Sequence, residues 1–201
     1  MKNLIEELKK TMLYSEELEI KLKKKNDEEL FKWFLASILY GGHISEKIAK
    51  NTYFAFKKYN LLTPQKILDA GWEFLVYPIM REGGYVRYDG KKSDQILKDC
   101  QFLIEKYEGS LNRLHELAKN SKDLEDKIDE FYGIGPITVN IFLRELRPYW
   151  EKADPKPLAI VYKKAEELGI DLEKYNRKSI EFVRIEAGII RLIHKKKALQ
   201  Q

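Results

Sequence analysis

Hydrophobic residues recur along this chain at the spacing of an α-helix. Ile96, Cys100, Leu103 and Tyr107 follow one another at i, i+4, i+7 and i+11, which places all four on one helix face. The same kind of spacing relates three further groups: Leu124, Ile128 and Phe131; Val139, Phe142, Leu143 and Leu146; and Leu158, Val161, Tyr162 and Ala165. No segment alternates between apolar and polar residues as a half-buried strand does. The pattern therefore predicts an all-α protein of about ten short helices.

Residues that favour helix ends mark several boundaries. Thr63 and Pro64 form an N-cap followed by proline at the first helical position, and Gly71 is placed to end that helix. Further caps are predicted at the N-terminal positions Ser45 and Ser110 and at the C-terminal position Gly169. Residues 31–40 are apolar almost all round, which predicts a central buried helix.

Composition narrows the class of protein. The chain has 201 residues, with 37 lysines and arginines against 32 aspartates and glutamates, and a formal net charge of +5. A hydrophobic share of 44% supports a full core and excludes intrinsic disorder. Cys100 is the single cysteine, so an intramolecular disulfide and a cysteine-ligated iron–sulfur cluster are both excluded. With no secretory apolar core and no membrane-length apolar stretch, we expect a cytoplasmic monomer.

The most informative motif lies in residues 124–146. It predicts an amphipathic helix, a tight turn at Gly133-Ile134-Gly135, and a second helix that begins at Pro136. Glycine permits a positive φ and a close backbone approach, and the free N–H groups at a helix N-terminus favour an anion such as a phosphate. The simpler interpretation is a helix-to-helix turn with a capping glycine.

Residues 132–140, YGIGPITVN, resemble the helix-hairpin-helix of the endonuclease III superfamily of DNA base-excision glycosylases. Residues 35–45 are similar to this family's first barrel helix and first DNA-probing loop, and residues 84–93 to its second DNA-facing turn with the following Lys-x-x-x-Ile helix. Asp154, in the sequence Ala-Asp-Pro, falls where the family has its catalytic aspartate. The resemblance covers residues 29–170.

This resemblance implies a fold of two helical lobes. Residues 30–148 would form a six-helix barrel that ends in the helix-hairpin-helix (residues 124–146), and residues 1–29 together with 149–201 would form the second lobe. Double-stranded DNA with a flipped, damaged base would lie across the cleft between the lobes. A prokaryotic protein of this kind would be nucleoid-associated.

The resemblance also implies site residues. DNA contacts are expected in the hairpin and in the two loops, at Gly133, Ile134, Gly135, Ile137, Thr138, Gly42, His43, Arg87 and Tyr88. Four aromatic residues are weaker candidates for a base pocket: Trp33, Tyr40, Trp72 and Trp150. A monovalent cation, Na⁺ or K⁺, is expected on the backbone carbonyls of Asp129, Phe131 and Ile134. No other cofactor is expected.

Departures from the family pattern define the expected chemistry. The bifunctional glycosylases carry a Schiff-base lysine where this chain has Ile137, so an active enzyme should be monofunctional, with water attacking the sugar. Asp154 would then stabilise the cationic sugar and orient the water, although an aspartate before a proline is also typical of a helix N-cap. Two alternatives stay open: an inactive DNA-binding protein, and a bifunctional lyase whose lysine has moved to Lys152 or Lys156.

Overall fold

The computed structural model describes residues 2–198, and within them the chain forms helices and no strand, which confirms the all-α prediction. The helices are α1 (Lys2–Leu8), α2 (Tyr14–Glu17), α3 (Asp27–Tyr40), α4 (Glu46–Lys58), α5 (Pro64–Phe74), α6 (Arg81–Gly83), α7 (Asp89–Tyr107), α8 (Leu111–Leu117), α9 (Ser121–Asp129), α10 (Pro136–Arg144), α11 (Ala159–Glu167) and α12 (Ile180–Ala198). Short 3-10 turns at Leu22–Lys24 and Leu172–Lys174 and a π-helical segment at Leu75–Met80 complete the path. No helix in the described part of the chain is long and apolar enough to cross a bilayer.

Helix α3 is the centre of the core, as its nearly all-apolar sequence predicts. It packs against α4 and α10, and Trp33 is fully buried. The Trp33 indole Nε1 donates a hydrogen bond to the Phe142 carbonyl at 2.9 Å. The Phe34 ring meets the edges of Phe131 and Phe142 with centroids 4.9 and 5.3 Å apart. These contacts join α3 directly to α10 and to the turn between the two helices of the hairpin.

The predicted helix ends are confirmed. The hydroxyl oxygens of Ser45, Thr63 and Ser110 each accept a hydrogen bond from the backbone N–H three residues later, at 3.3, 3.3 and 3.0 Å. Gly71 has φ 75° and ψ 174° and breaks the helical path of α5. Gly169, with φ 68°, follows α11 and allows the Ile170 N–H to close the helix on the Ala165 carbonyl at 2.8 Å.

Two buried charges just after α10 hold both ends of the chain. The Glu145 carboxylate accepts hydrogen bonds from the Tyr14 and Ser15 N–H groups at 2.9 and 3.0 Å, and so caps α2. The Arg147 guanidinium forms an ion pair with Glu186 of α12, and the Arg147 and Glu186 side chains are 0% and 1% exposed. The N-terminal segment and the last helix are therefore both fixed to the end of the hairpin.

Helix α12 also packs against α1. A Cβ atom placed on Gly188 would lie 2.5 Å from Leu8 Cδ2 and 2.6 Å from Thr11 Oγ1. A larger residue at Gly188 would force the Leu8 and Thr11 side chains to shift, because the first and last helices are in direct contact.

We predict that Arg147→Met destabilises the protein by about 3–5 kcal/mol, because it leaves the buried Glu186 carboxylate without its partner. Urea unfolding at neutral pH measures this loss. Replacing Glu186 with methionine in the same chain should recover part of it, since no unpaired charge is then buried.

The matched control is Lys122→Ala, which removes an exposed i,i+4 pair with Asp126 and should change stability by less than about 1 kcal/mol. A similarly small effect of Arg147→Met would show that the buried pair does not hold α12 in place.

Candidate nucleic-acid interface

The hairpin has the local structure that its sequence predicts. Helix α9 ends at Asp129, a turn follows, and α10 begins at Pro136 with Gly135 as its N-cap. Gly133 lies in the left-handed region at φ 67°, and a Cβ atom there would meet the Gln95 side chain at 3.2 Å. Gly133 is therefore required by the fold of the turn and by its contact with α7.

Gly135 is different, because nothing inside the protein requires a glycine there. Its φ of −131° is extended backbone that any residue adopts, and an added Cβ would meet no atom within 4 Å. As an N-cap without a side chain, it leaves the N–H groups of Ile137 and Thr138 free of a capping partner. The open space and the free N–H groups together favour an anion approaching from outside.

The first of the two predicted DNA-facing loops packs against the hairpin and against the second loop. A Cβ atom on Gly41 would lie 2.0 Å from Thr138 Oγ1, so the loop after α3 packs against α10. A Cβ atom on Gly42 would lie 3.0 Å from the Tyr85 hydroxyl oxygen, which belongs to the second loop. His43, next to this contact, is exposed.

Tyr88 protrudes from the second loop in a strained backbone conformation. It has φ 63° and is 62% exposed. The Arg87 guanidinium lies over its ring, 5.0 Å from the centroid. A bulky residue in the left-handed region costs about 1–2 kcal/mol, and such strain is concentrated at functional sites. This conformation fits the predicted role of Tyr88 and Arg87 in stacking against a ligand.

An open cleft of about 600 Å³ lies beside the hairpin. Its walls come from α9, from the first turns of α10, and from the loop that carries Asp154. The lining includes Glu125, Pro136, Asn140, Asp154, Lys156 and Arg177. Asp154 and the start of the second hairpin helix, which the sequence separates by 18 residues (154 − 136), therefore face one space.

Asp154 is paired with an arginine that the sequence did not single out. Arg177 Nε and Nη2 donate to Asp154 Oδ1 and Oδ2, both at 2.6 Å, in a two-point ion pair. These hydrogen bonds hold the pKa of Asp154 below its ordinary value, so the carboxylate is ionised. Asp154 does not cap a helix, because the chain stays non-helical up to Leu158 and α11 begins at Ala159. The helix N-cap role that the sequence also allowed for Asp154 is therefore wrong.

The loop of residues 150–156 has no regular helix, and distant side chains hold its carbonyl groups. Lys178 Nζ donates to the carbonyls of residues 150, 151 and 153 at 2.8, 2.7 and 3.0 Å. Arg147 Nε donates to the Pro155 carbonyl at 3.1 Å, and Asn140 Nδ2 to the Lys156 carbonyl at 2.8 Å. These contacts fix the backbone on both sides of Asp154.

Glu125 is a second carboxylate on the cleft. It is half-buried, and burial raises its pKa, with a further contribution from the negative charges of Asp126 and Asp154. Its pKa is therefore shifted in the opposite direction from that of Asp154. Two carboxyl groups whose pKa values are pushed apart are typical of acid–base chemistry. No spacing in the sequence pairs these residues, because they meet only in the fold.

The four candidate base-pocket aromatics do not share a pocket, which corrects that expectation. Trp33 and Trp150 are 0% and 2% exposed and belong to the core. Tyr40 packs edge-on against Tyr14, with ring centroids 5.4 Å apart. Trp72 is exposed, but its Nε1 donates a hydrogen bond to the Gly90 carbonyl of the second loop at 3.2 Å. None of the four lines the cleft that contains Asp154, because apolar helical spacing marks core positions more often than pocket positions.

The expected cation ligands lie in the hairpin turn. Asp129 is the last residue of α9, and the Phe131 carbonyl already accepts the Ile134 N–H at 3.2 Å. A carbonyl oxygen has a second lone pair, so cation binding at these positions stays a prediction.

No protein-family model, no curated protein and no solved structure matches this chain. The assignment of the site therefore depends on its own geometry.

We predict that Arg177→Ala raises the pKa of Asp154, because the variant loses both hydrogen bonds to the ionised form. The carbon resonance of the Asp154 carboxyl group, followed by NMR against pH, measures the change. Since the folded-state pKa is lowered, the pair stabilises the fold above pH 3.8, and this contribution is lost as the pH falls through the folded-state pKa.

The stability difference between wild type and Arg177→Ala should therefore shrink below pH 3.8. Lys156→Ala, which removes a different cation from the cleft, is the control. Identical titration curves for Asp154 in wild type and Arg177→Ala would contradict the assignment.

Proposed function

We propose that this protein is a monofunctional DNA N-glycosylase with a helix-hairpin-helix, and that it removes a damaged base from double-stranded DNA. The observation that carries the proposal is the position of α10, whose N-terminus at Gly135 has no side-chain cap and whose residues Pro136, Val139 and Asn140 line one cleft with the ionised Asp154. The uncapped helix N-terminus suits a phosphate, and the ionised carboxylate suits a sugar that becomes cationic as its base departs.

The proposal includes the two-lobe arrangement of this glycosylase family, with residues 30–148 as the barrel and residues 1–29 with 149–201 as the second lobe. The packing of α1 on α12 and the anchoring of both ends of the chain at Glu145 and Arg147 support it. The cleft would then lie where the hairpin meets the second lobe.

In this proposal the DNA backbone contacts the hairpin and the two loops. The amides of Gly135, Ile137 and Thr138 hold a phosphate, with a monovalent cation on the carbonyls of the turn. The loops at residues 41–43 and 87–88 touch the duplex beside the flipped nucleotide. The packing of the first loop against both α10 and the second loop supports a single continuous surface.

The charges inside the cleft favour a cationic group over a phosphate. Three cations line it, from Lys122, Lys156 and Arg177, against four acidic residues, Glu125, Asp126, Asp129 and Asp154. A phosphate would meet repulsion there, whereas positive charge on a sugar or on an alkylated base would be stabilised. We therefore place the sugar and base in the cleft and the phosphates at its edge.

Asp154 carries the chemistry in this proposal. As the bond between the sugar and the base stretches, its carboxylate stabilises the positive charge on the sugar. Water forms the new bond to the sugar carbon and gives up a proton to the solvent, while the departing base takes up a proton from the solvent. The products are an abasic sugar and the free base.

We predict that Asp154→Asn slows single-turnover base release by about a hundredfold or more, because it removes a charge that acts mainly in the transition state. Binding of duplex DNA should survive, since the shape is kept. A panel of duplexes with different lesions identifies the substrate for the assay.

The wild-type protein should leave abasic sites that break only after alkali or heat. Unaided strand cleavage with a borohydride-trapped adduct would contradict the monofunctional assignment. Base release by Asp154→Asn at the wild-type rate would remove Asp154 from the mechanism.

We predict that Gly135→Val weakens duplex binding about tenfold or more while Tm stays close to the wild-type value. The new side chain finds open space in the free protein, but it obstructs the amides that would hold a phosphate. One charge-assisted hydrogen bond is worth about 1.5–3 kcal/mol, which corresponds to this loss of affinity.

Gly133→Val is the matched control, because its positive φ and its contact with Gln95 should make it lower Tm instead. Equal affinity of wild type and Gly135→Val across a salt titration would exclude phosphate binding at the hairpin.

The ion pair of Arg177 favours a second candidate, a DNA-binding protein without chemistry. The guanidinium offsets the Asp154 charge that the reaction needs. Binding without base release over the whole lesion panel would support this candidate. For the alternative of a bifunctional lyase, Lys156 is the better candidate for the relocated lysine, because it lines the cleft. Lys152 Nζ is already bonded to the His115 and Glu116 carbonyls at 2.8 and 3.1 Å.

A further inference from the structure

The Lys178 ammonium group donates all three of its hydrogen bonds to backbone carbonyls of one loop. An ammonium group has three N–H donors, and each accounts for one hydrogen bond of 2.7 to 3.0 Å to a carbonyl of the loop at residues 150, 151 and 153. The side chain is half-buried and close to the Asp154 loop, and the preceding residue, Arg177, binds the Asp154 carboxylate itself. Two adjacent cations thus hold one loop, one through its backbone and one through its carboxylate.

Three convergent carbonyl oxygens form the ligand set that proteins use for monovalent cations, because the carbonyl dipoles replace the cation's hydration shell. In this loop the three carbonyl oxygens converge on one centre, the Lys178 ammonium group. In an ordinary surface loop they would point towards water. Without a cation at that centre their partial negative charges would repel one another, and the loop would be expected to open.

We propose that Lys178 is a positioning residue that acts as a built-in monovalent cation, and that it fixes the loop which presents Asp154. Removing its side chain then leaves a three-carbonyl site that takes up ammonium from solution. The consequence for chemistry rests on the proposed glycosylase function, whereas the cation site itself does not.

The decisive comparison is between Lys178→Ala and Lys178→Met. The alanine variant empties the space, while the methionine variant fills it with an uncharged chain of similar length. Both should lower Tm, by about 5 °C, because the charge-assisted hydrogen bonds to the loop are lost.

Ammonium chloride should raise the Tm of Lys178→Ala, and tetramethylammonium chloride at the same ionic strength should not, since it is too large and has no N–H donor. Lys178→Met should respond to neither salt. The carboxyl carbon resonance of Asp154 should shift in Lys178→Ala and return towards its wild-type position with ammonium.

Lys58→Ala is the control for a lysine that lies away from the Asp154 loop, where it is paired with Glu82. It should leave the Asp154 resonance in place. The proposal is overturned if Lys178→Ala keeps the wild-type Tm, if ammonium acts equally on the alanine and methionine variants, or if the Asp154 resonance does not respond to ammonium.

The rate of base release tests whether Lys178 acts by positioning Asp154. In Lys178→Ala the single-turnover rate at saturating enzyme should fall about tenfold or more and recover with ammonium, while the affinity for duplex DNA stays unchanged. A loss of affinity with an unchanged rate would contradict a positioning role. If the wild-type protein releases no base, the glycosylase proposal fails, and the Tm and the Asp154 resonance still decide the role of Lys178.

Discussion

The buried guanidinium of Arg147 is the contact on which the arrangement of hairpin, Asp154 loop and last helix depends. It follows directly after α10, donates to the Pro155 carbonyl, and is paired with Glu186 in the middle of α12. A buried ion pair is stable only when its geometry is good and its remaining donors are satisfied. Here the carbonyls of Pro155 and Arg144 accept the remaining hydrogen bonds, so the charge that fixes α12 also fixes the backbone beside Asp154.

This arrangement gives the Asp154 loop a rigidity that its lack of helix would not suggest. A free carboxylate on a surface loop must be ordered before it stabilises a transition state, and that ordering reduces its benefit. Lys178, Arg147 and Asn140 already hold the loop backbone, and Arg177 holds the carboxylate in one orientation. The same contact with Arg177 opposes the proposed reaction, because a neutralised carboxylate stabilises a cation less well. Under the proposed function a substrate would have to offer Arg177 another anion, and a DNA backbone at the edge of the cleft would provide one.

The sequence predicted the elements of this protein well, because their signals are local. A cap such as Ser45 or Thr63 acts within one turn of its helix, while Gly71 breaks the path of α5 and Gly169 ends α11 through their own φ angles. The partners of Asp154 were beyond reach, since Arg177 lies 23 residues away and meets it only in the fold. Trp33 and Trp150 were misassigned because an apolar helical position looks the same in sequence whether it lines a core or a pocket. Gly133 and Gly135 are also indistinguishable in sequence, and only the space around each shows that the first serves the turn and the second faces outwards.

That distinction connects the fold to the proposed recognition of DNA. A turn needs one glycine with a positive φ, and Gly133 supplies it. Gly135 has an ordinary φ and open space around it, so the packing of the free protein does not require a glycine there. Its small size leaves the N–H groups behind it open, and these donate best to a group with negative charge or strong acceptors. A few residues away, the excess of acidic side chains in the cleft repels that same group and accepts a cation. The two surfaces together fit a ligand that carries fixed negative charge and develops positive charge nearby, which describes a nucleotide as it loses its base.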